Sequence, residues 1–346
     1  MKDWRKLADK YALAAAIFIG AAGYPLFRHL TPLLPTLIFF MLFFTFCKVN
    51  PLDLRLHKWH FIALSVQLAL AAGVYFLLIS AGRYFPVLEN RTVAQSAMLC
   101  FLMPTATAAP IVAGKLGGSI QNLTTFTLLS NLATAVIVPV FFPIVNPIES
   151  MTFTAASLLI LRRVTPLLLG PFLLAWLVRI VYDRLPRNRR AGKVFILPPD
   201  MAQVPFYLWA CTIVILMGDI VYSLLTQPSD MQTLSGMIIW AAVSCFIQFA
   251  LGRAIGKRWP AGSHGTDYQD AVINPATAPK TKSGISRLTA GQALGQKNTT
   301  LAIWMAQTYL LPLTAVGPAI YMIVQNLFNS AQLAKAAKAK DSTVRC

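Results

Sequence analysis

Acidic side chains are few in this chain of 346 residues. It has 12 Asp and Glu against 30 Lys and Arg, and only 12% of its residues are charged, whereas 56% are hydrophobic. Soluble domains average about 25% charged and about 45–50% apolar residues. The composition therefore excludes an ordinary soluble protein. It also argues against a nucleic-acid-binding protein, because such proteins carry their basic residues on a polar surface. An all-α polytopic membrane protein is the class that fits.

The sequence patterns of catalysis and metal binding are also missing. None of the five cysteines has CxxC or Cys/His spacing, and no HExxH, GxSxG or P-loop pattern occurs. The only two glutamates, Glu89 and Glu149, lie in predicted loops. We therefore expect no enzyme activity, no structural metal and no disulfide framework.

Ten apolar runs are each predicted to form a transmembrane helix, because about 20 apolar residues span a bilayer. The runs cover residues 11–27, 32–47, 60–82, 93–114, 119–145, 154–180, 203–226, 231–252, 284–309 and 312–334. With a cytoplasmic N-terminus, the cytoplasmic segments hold 24 of the 30 Lys and Arg, the outer segments hold five, and Lys297 belongs to neither. This bias predicts an inner (plasma) membrane protein with both termini in the cytoplasm.

The ten helices divide into two halves of five. Because five is odd, the second half enters the membrane from the opposite side, which predicts two inverted repeats. Residues 1–150 form the first repeat and residues 151–334 the second, which includes a flexible cytoplasmic loop at 253–283. A basic cytoplasmic tail follows at 335–346, and it is able to continue the last helix.

Predicted helices 4 and 9, which are equivalent in the two repeats, are both interrupted. The breaks lie at 103–110 and 291–298. Backbone groups freed by a break persist in a membrane only where they are buried in protein or line a wet cavity, and paired breaks indicate a transporter's binding site. The candidate solute- or ion-binding residues at the breaks and in helix 5 are Thr105, Thr107, Thr127, Ser130, Asn131, Gln296, Lys297, Asn298 and Thr299. The alternative is that these groups only hydrogen-bond helices together.

Two further polar positions lie outside the breaks. Asp219 is the one carboxylate well inside an apolar run, and it is either a proton or cation site or a carboxylate hydrogen-bonded near the outer boundary. Arg162 and Arg163, near the start of helix 6, either bind an anion or extend to the outer interface.

The sequence at the breaks resembles the bile acid:sodium symporter family. The segment GQKNTTLA at 295–302 is similar to the family pattern Glu-x-Gly-x-Gln-Asn-Ser-x-Leu-Ala. Pro104 with Thr107 and Ala108 resembles Pro-Gly-Gly-Thr-Ala-Ser-Asn, and PLLLG at 166–170 matches a Pro-x-x-x-Gly of helix 6. The resemblance implies that helices 4 and 9 cross. It also implies a core domain of helices 3, 4, 5, 8, 9 and 10 against a panel domain of helices 1, 2, 6 and 7, and transport of organic anions with sodium bound behind the crossing.

The chain departs from this pattern where the family binds sodium. The family's Glu falls on Ala293 and its Gln on Lys297, whereas Asn298 keeps its place. A carboxylate has been lost and a cation gained, which argues against coupling to two sodium ions. Sodium therefore either binds at other groups or is replaced by the Lys297 ammonium. Alternatively, Lys297 couples transport to protons as a titrating amine, or it only points along a wet vestibule.

These features together predict a secondary transporter that moves an organic, anionic solute across the inner membrane by alternating access. A membrane channel and a membrane-embedded enzyme are the alternatives. The expected partners are the small organic anion and the lipid bilayer, without nucleic acid, and a homo-oligomer is left open. No cofactor is expected apart from the sodium ion discussed above.

Overall fold

The structure is a computed structural model that describes residues 2–49, 54–82, 84, 90–184, 201, 203–227, 229–260 and 282–344. Within these ranges the chain forms helices and connecting turns and no β-strand. The helices are α1 (Lys2–Ala22), α2 (Tyr24–Phe27), a 3-10 helix (Arg28–Leu33), α3 (Leu34–Phe46), α4 (Lys58–Gly82), α5 (Arg91–Leu102), α6 (Ala109–Lys115), α7 (Ile120–Val145), α8 (Phe153–Arg184), α9 (Val204–Thr226), α10 (Met231–Arg258), α11 (Lys282–Gly295), α12 (Thr299–Tyr309), a second 3-10 helix (Pro312–Ala315) and α13 (Val316–Val344).

Six helical segments of the described chain are long and apolar enough to cross a membrane. They are Tyr24–Phe46, Lys58–Gly82, Ile120–Val145, Phe153–Arg184, Val204–Thr226 and Met231–Arg258. Large apolar side chains are exposed on several of them, among them Leu26, Leu77, Leu177 and Leu225. A soluble protein rarely exposes so much apolar surface. The chain is therefore a multi-pass membrane protein, as its composition predicts, and a count of ten spanning helices stays a prediction.

Two helices extend into basic segments beyond their apolar runs, as the sequence pattern allows for the second of them. Residues 253–258 of the predicted loop 253–283 are the last turns of α10, and residues 261–281 lie outside the described residues. The predicted tail continues α13 as far as Val344. Hydropathy underestimates both helices because Lys and Arg end an apolar run without ending a helix.

The chain divides into two compact units. The first unit comprises Met1–Pro51, Ala135–Ser229 and Ile303–Leu313, and the second comprises Leu52–Thr134, Asp230–Ala302 and Thr314–Cys346. In the first unit, α1 packs against α9 at Gly20, where a Cβ atom would overlap the carbonyl oxygen of Val214. Small residues at such contacts let helix backbones approach, which is how membrane helices gain packing energy.

In the second unit, α10 packs most extensively against α11. Gly252 and Gly256 of α10 lie one helical turn apart, and a Cβ atom on either would overlap backbone atoms of Ala290 or Ser286. This glycine pair lets the two backbones touch. The arrangement fixes α11, and with it the end of α11 at Gly295, where a Cβ atom would overlap the Phe249 ring.

Candidate functional site

Two extended segments cross in the second unit where two helices are interrupted. The first runs between α5 and α6, and the second between α11 and α12. They pair antiparallel at Thr105 and Lys297. The amide of Ala106 donates to the carbonyl oxygen of Gln296 at 3.0 Å, and the amide of Asn298 donates to that of Pro104 at 2.8 Å. The two breaks therefore satisfy part of each other's backbone hydrogen-bonding need, which explains how they coexist in an apolar environment.

Side chains from neighbouring helices brace the two extended segments. The Thr105 amide donates to the Ser130 hydroxyl of α7 at 3.0 Å, and the Thr105 hydroxyl donates to the carbonyl oxygen of Ala293 at 2.7 Å. Gln325 of α13 contacts both backbone groups of Lys297. Peptide groups that cannot join a helix are thus bonded by polar side chains instead of water.

The half-helix ends at the crossing are also capped by side chains. Gln67 of α4 donates to the carbonyl oxygens of Leu102 and Met103 at the end of α5, at 3.3 and 3.0 Å. The Tyr321 hydroxyl donates to the Gly295 carbonyl oxygen at the end of α11, at 2.8 Å. At the start of α12, the Asn298 side-chain oxygen accepts from the amide of Leu301 at 3.2 Å, which is the geometry of an N-cap. The ends of the broken helices are therefore held rigidly.

Many buried polar atoms in this unit nevertheless have no hydrogen-bond partner among the described residues. They are His57 Nε2, Gln67 Oε1, Ser96 Oγ, Asn131 Oδ1, Gln248 Oε1, Gln296 Oε1, Lys297 Nζ, Asn298 Nδ2, Gln332 Nε2 and both side-chain polar atoms of Gln292 and Asn329. Buried polar groups are normally bonded, and each one that is not costs about 1–3 kcal/mol. Buried polar atoms in this number are therefore expected to bind water, an ion or a solute.

Lys297 is the only charged residue among the buried side chains that the structure describes, and it is 1% exposed. The Cys100 thiol lies near enough to interact with its ammonium group. No Asp or Glu is buried with it in the described part of the chain. Because an isolated buried charge is strongly disfavoured, this ammonium needs an anion, a dipole cluster or proton exchange.

The structure brings most of the sequence-predicted site residues together, with three exceptions. Thr105, Ser130 and Lys297 share the contacts described above, and the remaining predicted residues at the second break adjoin them. Thr127 and Asn131, in contrast, bond within their own helix α7. The Thr127 hydroxyl donates to the carbonyl oxygen of Leu123 at 2.9 Å, and the Asn131 side-chain amide donates to that of Thr127 at 2.7 Å. Thr107 is half-buried at the end of its segment.

Sequence reasoning missed the residues that brace the crossing from α4 and α13. These are Gln67, Tyr321, Gln325 and Asn329. A signal was present, because single amide side chains in long apolar helices are costly unless bonded. Gln325 and Asn329 also lie four residues apart, on one helix face.

The polar residues that the sequence analysis singled out outside the breaks, Asp219, Arg162 and Arg163, lie in the first unit. Asp219 of α9 is half-buried, and it belongs to the first unit, whereas the crossing belongs to the second. Arg163 of α8 lies beside the Tyr309 hydroxyl and lines a cavity of about 470 Å³. Arg162 and Arg163 are both exposed, but Arg162 is absent from the cavity wall.

No group of three or more His, Cys, Asp or Glu side chains occurs in the described ranges that would suit a metal ion. The chain matches no family model, and it matches no curated protein.

Proposed function

We propose that this chain is a secondary transporter that moves an organic anion across the inner membrane by alternating access. In this proposal, ten helices span the membrane as two inverted repeats with both termini in the cytoplasm. The chain is then a divergent relative of the bile acid:sodium symporters. The observation that carries the proposal is the crossing of two broken helices around a buried ammonium group, at Thr105 and Lys297.

The polarity of the crossing supports an anionic solute. Lys297 brings a positive charge, and the buried groups around the breaks are neutral amides and hydroxyls. The half-helix α12 also directs its N-terminus at the break, and helix N-termini favour negative charge. An anion that pairs with Lys297 would offset the cost of burying that charge.

The same residues do not fit sodium. A sodium site in such a crossing uses backbone and side-chain oxygens, and here Ala293 stands where the resemblance calls for a carboxylate. The nearby ammonium would repel a second cation. In the proposed mechanism Lys297 therefore acts as a tethered cation that holds the crossing together, and transport proceeds as uniport or exchange without a sodium gradient.

The division of the chain into two units supports a core and a panel. The second unit holds α4, α5, α6, α10, α11 and α13 with most of α7, whereas the first holds α1, α2, α3, α8 and α9. This division follows the expected core and panel except in α7 and α12, because residues 135–145 and 303–309 of these expected core helices belong to the first unit. Alternating access needs two separately packed bodies of this kind.

Transport into liposomes tests the proposal. Purified protein is reconstituted, and uptake of radiolabelled monocarboxylates is followed with and without sodium and with unlabelled anion trapped inside. An exchanger is supported if uptake is saturable, needs no sodium and is accelerated by the anion trapped inside the liposomes. Flux that rises linearly without saturation indicates a channel, and flux equal to that of protein-free liposomes contradicts both.

Cysteine labelling in intact cells tests the proposed orientation. In a variant lacking the native cysteines, single cysteines at positions 149 and 230 should react with an impermeant reagent from outside. Cysteines at positions 187 and 281 should react only after the cells are opened. The reverse pattern at either pair contradicts two inverted repeats of five helices.

A further inference from the structure

The first unit contains a cavity that the proposed crossing site does not use. It has a volume of about 470 Å³ and is lined by Thr31, Pro32, Pro35, Arg163, Trp304 and Thr308. Pockets for small organic molecules measure about 300–1,000 Å³. The cavity is therefore large enough for a compact organic molecule, and its wall decides which kind.

Among the described residues of this wall, Arg163 is the one charged group. The two lining hydroxyls donate elsewhere, Thr31 to the carbonyl oxygen of Arg28 at 2.6 Å and Thr308 to that of Trp304 at 2.7 Å. The guanidinium group has five N–H donors in a planar fork, and the neighbouring Tyr309 hydroxyl needs at most one of them. Donors that suit a carboxylate therefore remain on Arg163.

The rest of the wall is apolar. Two proline rings and the Trp304 indole face the cavity. The Trp304 ring is held edge-on against Tyr309, with centroids 5.8 Å apart. A rigid apolar wall beside a single cation suits a molecule with one negative charge and a hydrocarbon or aromatic body, because a second negative charge would find no partner in the wall.

We propose that this cavity binds a small amphipathic monocarboxylate, with its carboxylate on Arg163 and its apolar body against Trp304 and the two prolines. This is a second binding site, separate from the one at Lys297, and the proposal does not depend on which solute the chain transports. The site lies wholly within the first unit. It can therefore be tested by binding, without transport.

The test is equilibrium binding of 2-naphthoate to the full-length purified protein, with uncharged 2-naphthamide as the matched ligand. Naphthoate should bind saturably, and naphthamide about tenfold or more weakly. Arg163→Gln should lose the preference for the anion, Arg163→Lys should recover part of it, and Arg162→Gln should leave it unchanged. Because Arg162 is adjacent and exposed, it controls for any general effect of charge on this helix.

Two results would overturn the site: no saturable naphthoate binding, or equal affinities in Arg163→Gln and Arg162→Gln. If naphthoate changes the tryptophan fluorescence of the protein, and the same change persists in Trp304→Phe, the proposed pose is also contradicted. The two proposals fail separately. Selective binding through Arg163 without uptake of any anion supports the cavity site and contradicts the transporter. Saturable uptake together with unchanged naphthoate binding in Arg163→Gln supports the transporter and contradicts the cavity site.

Discussion

Gln325 hydrogen-bonds the backbone N–H and C=O groups of Lys297 through both ends of its side-chain amide. Its Oε1 accepts from the Lys297 amide at 2.8 Å, and its Nε2 donates to the Lys297 carbonyl oxygen at 3.2 Å. An amide side chain carries a donor and an acceptor in one planar group, which can match the N–H and C=O groups of one residue in this way. The pairing holds Lys297 in extended backbone, beside Thr105 of the other break, instead of in a continued helix.

Replacing Gln325 should therefore destabilise the crossing. Gln325→Leu leaves the buried Lys297 amide without a partner, at a cost of about 1–3 kcal/mol. The Lys297 carbonyl oxygen loses one of its two donors and keeps the Thr299 amide at 3.0 Å. We expect a lower thermal unfolding midpoint for the purified protein. Asn326→Leu is the matched control, because the Asn326 side chain donates within its own helix to Met322. Equal midpoints for the two variants would show that Gln325 does not hold the break.

Lys297→Gln should impair anion uptake at neutral pH and leave the protein abundant in the membrane. The variant removes the buried positive charge and keeps a side chain of similar length. The exposed Lys335 of α13 supplies the control Lys335→Gln, which should transport normally. Sodium should neither stabilise the unmodified protein nor accelerate its uptake, whereas Lys297→Gln combined with Ala293→Glu should create a sodium response. Strong sodium dependence of the unmodified protein would contradict the tethered-cation role.

Substitutions of Asn298 can distinguish its capping role from its role in binding solute. Its Oδ1 caps α12, whereas its Nδ2 has no partner among the described residues and is free to contact solute. Asn298→Ala should lose about 1 kcal/mol of stability together with uptake. Asn298→Ser should recover the stability, because Ser also caps, but it should not recover uptake. Full uptake by the Ser variant would limit Asn298 to capping.

Thr107 should matter for uptake without affecting stability. It lies half-buried in the first break, and no side-chain hydrogen bond holds it there among the described contacts. Thr107→Ala is expected to reduce solute uptake. Its free energy of unfolding should stay within about 0.5 kcal/mol of that of the unmodified protein, so its thermal midpoint should hardly change. Normal uptake by this variant would remove Thr107 from the site.

The contact between α10 and α11 should tolerate no added methyl group. In Gly256→Ala the new Cβ atom meets backbone atoms of Ser286, which cannot rotate away, and such overpacking typically costs about 1–3 kcal/mol. Gly73 of α4 has no neighbouring atom within 4 Å of the equivalent Cβ position. Gly73→Ala should therefore be neutral or stabilising, because Ala favours a helix over Gly. Thermal unfolding of the two variants provides the comparison.

Acid should weaken the start of α10 through Asp230. Hydrogen bonds from the Thr233 side chain and backbone amide hold the pKa of Asp230 below its ordinary value of 3.8. The ionised carboxylate therefore contributes stability above that ordinary pKa, and the contribution disappears as the pH falls through the lower folded-state pKa. Asp230→Asn keeps a capping oxygen but cannot titrate. Its thermal midpoint should consequently fall less between about pH 5 and pH 2 than that of the unmodified protein.

The sequence by itself determined that this is a helical membrane protein and where its helices are interrupted. Both properties are local. A run of apolar side chains favours a buried or lipid-facing helix wherever it occurs, and Pro104 lacks the amide that a continuous helix requires. Lys297 was also recognisable, because a lysine far from both ends of an apolar run is costly in any fold.

Tertiary structure alone decided which groups meet at the breaks. The pairing of Thr105 with Lys297 joins residues 192 positions apart. The side-chain amide of Gln67 reaches the end of α5, and that of Gln325 reaches Lys297, from two further helices. It also decided that Arg163, and not the adjacent Arg162, lines the cavity. Neighbouring residues on a helix point about 100° apart, so the outcome depends on how that helix is rotated against its neighbours. That rotation is set by packing between residues distant in sequence, on which local hydropathy carries no information.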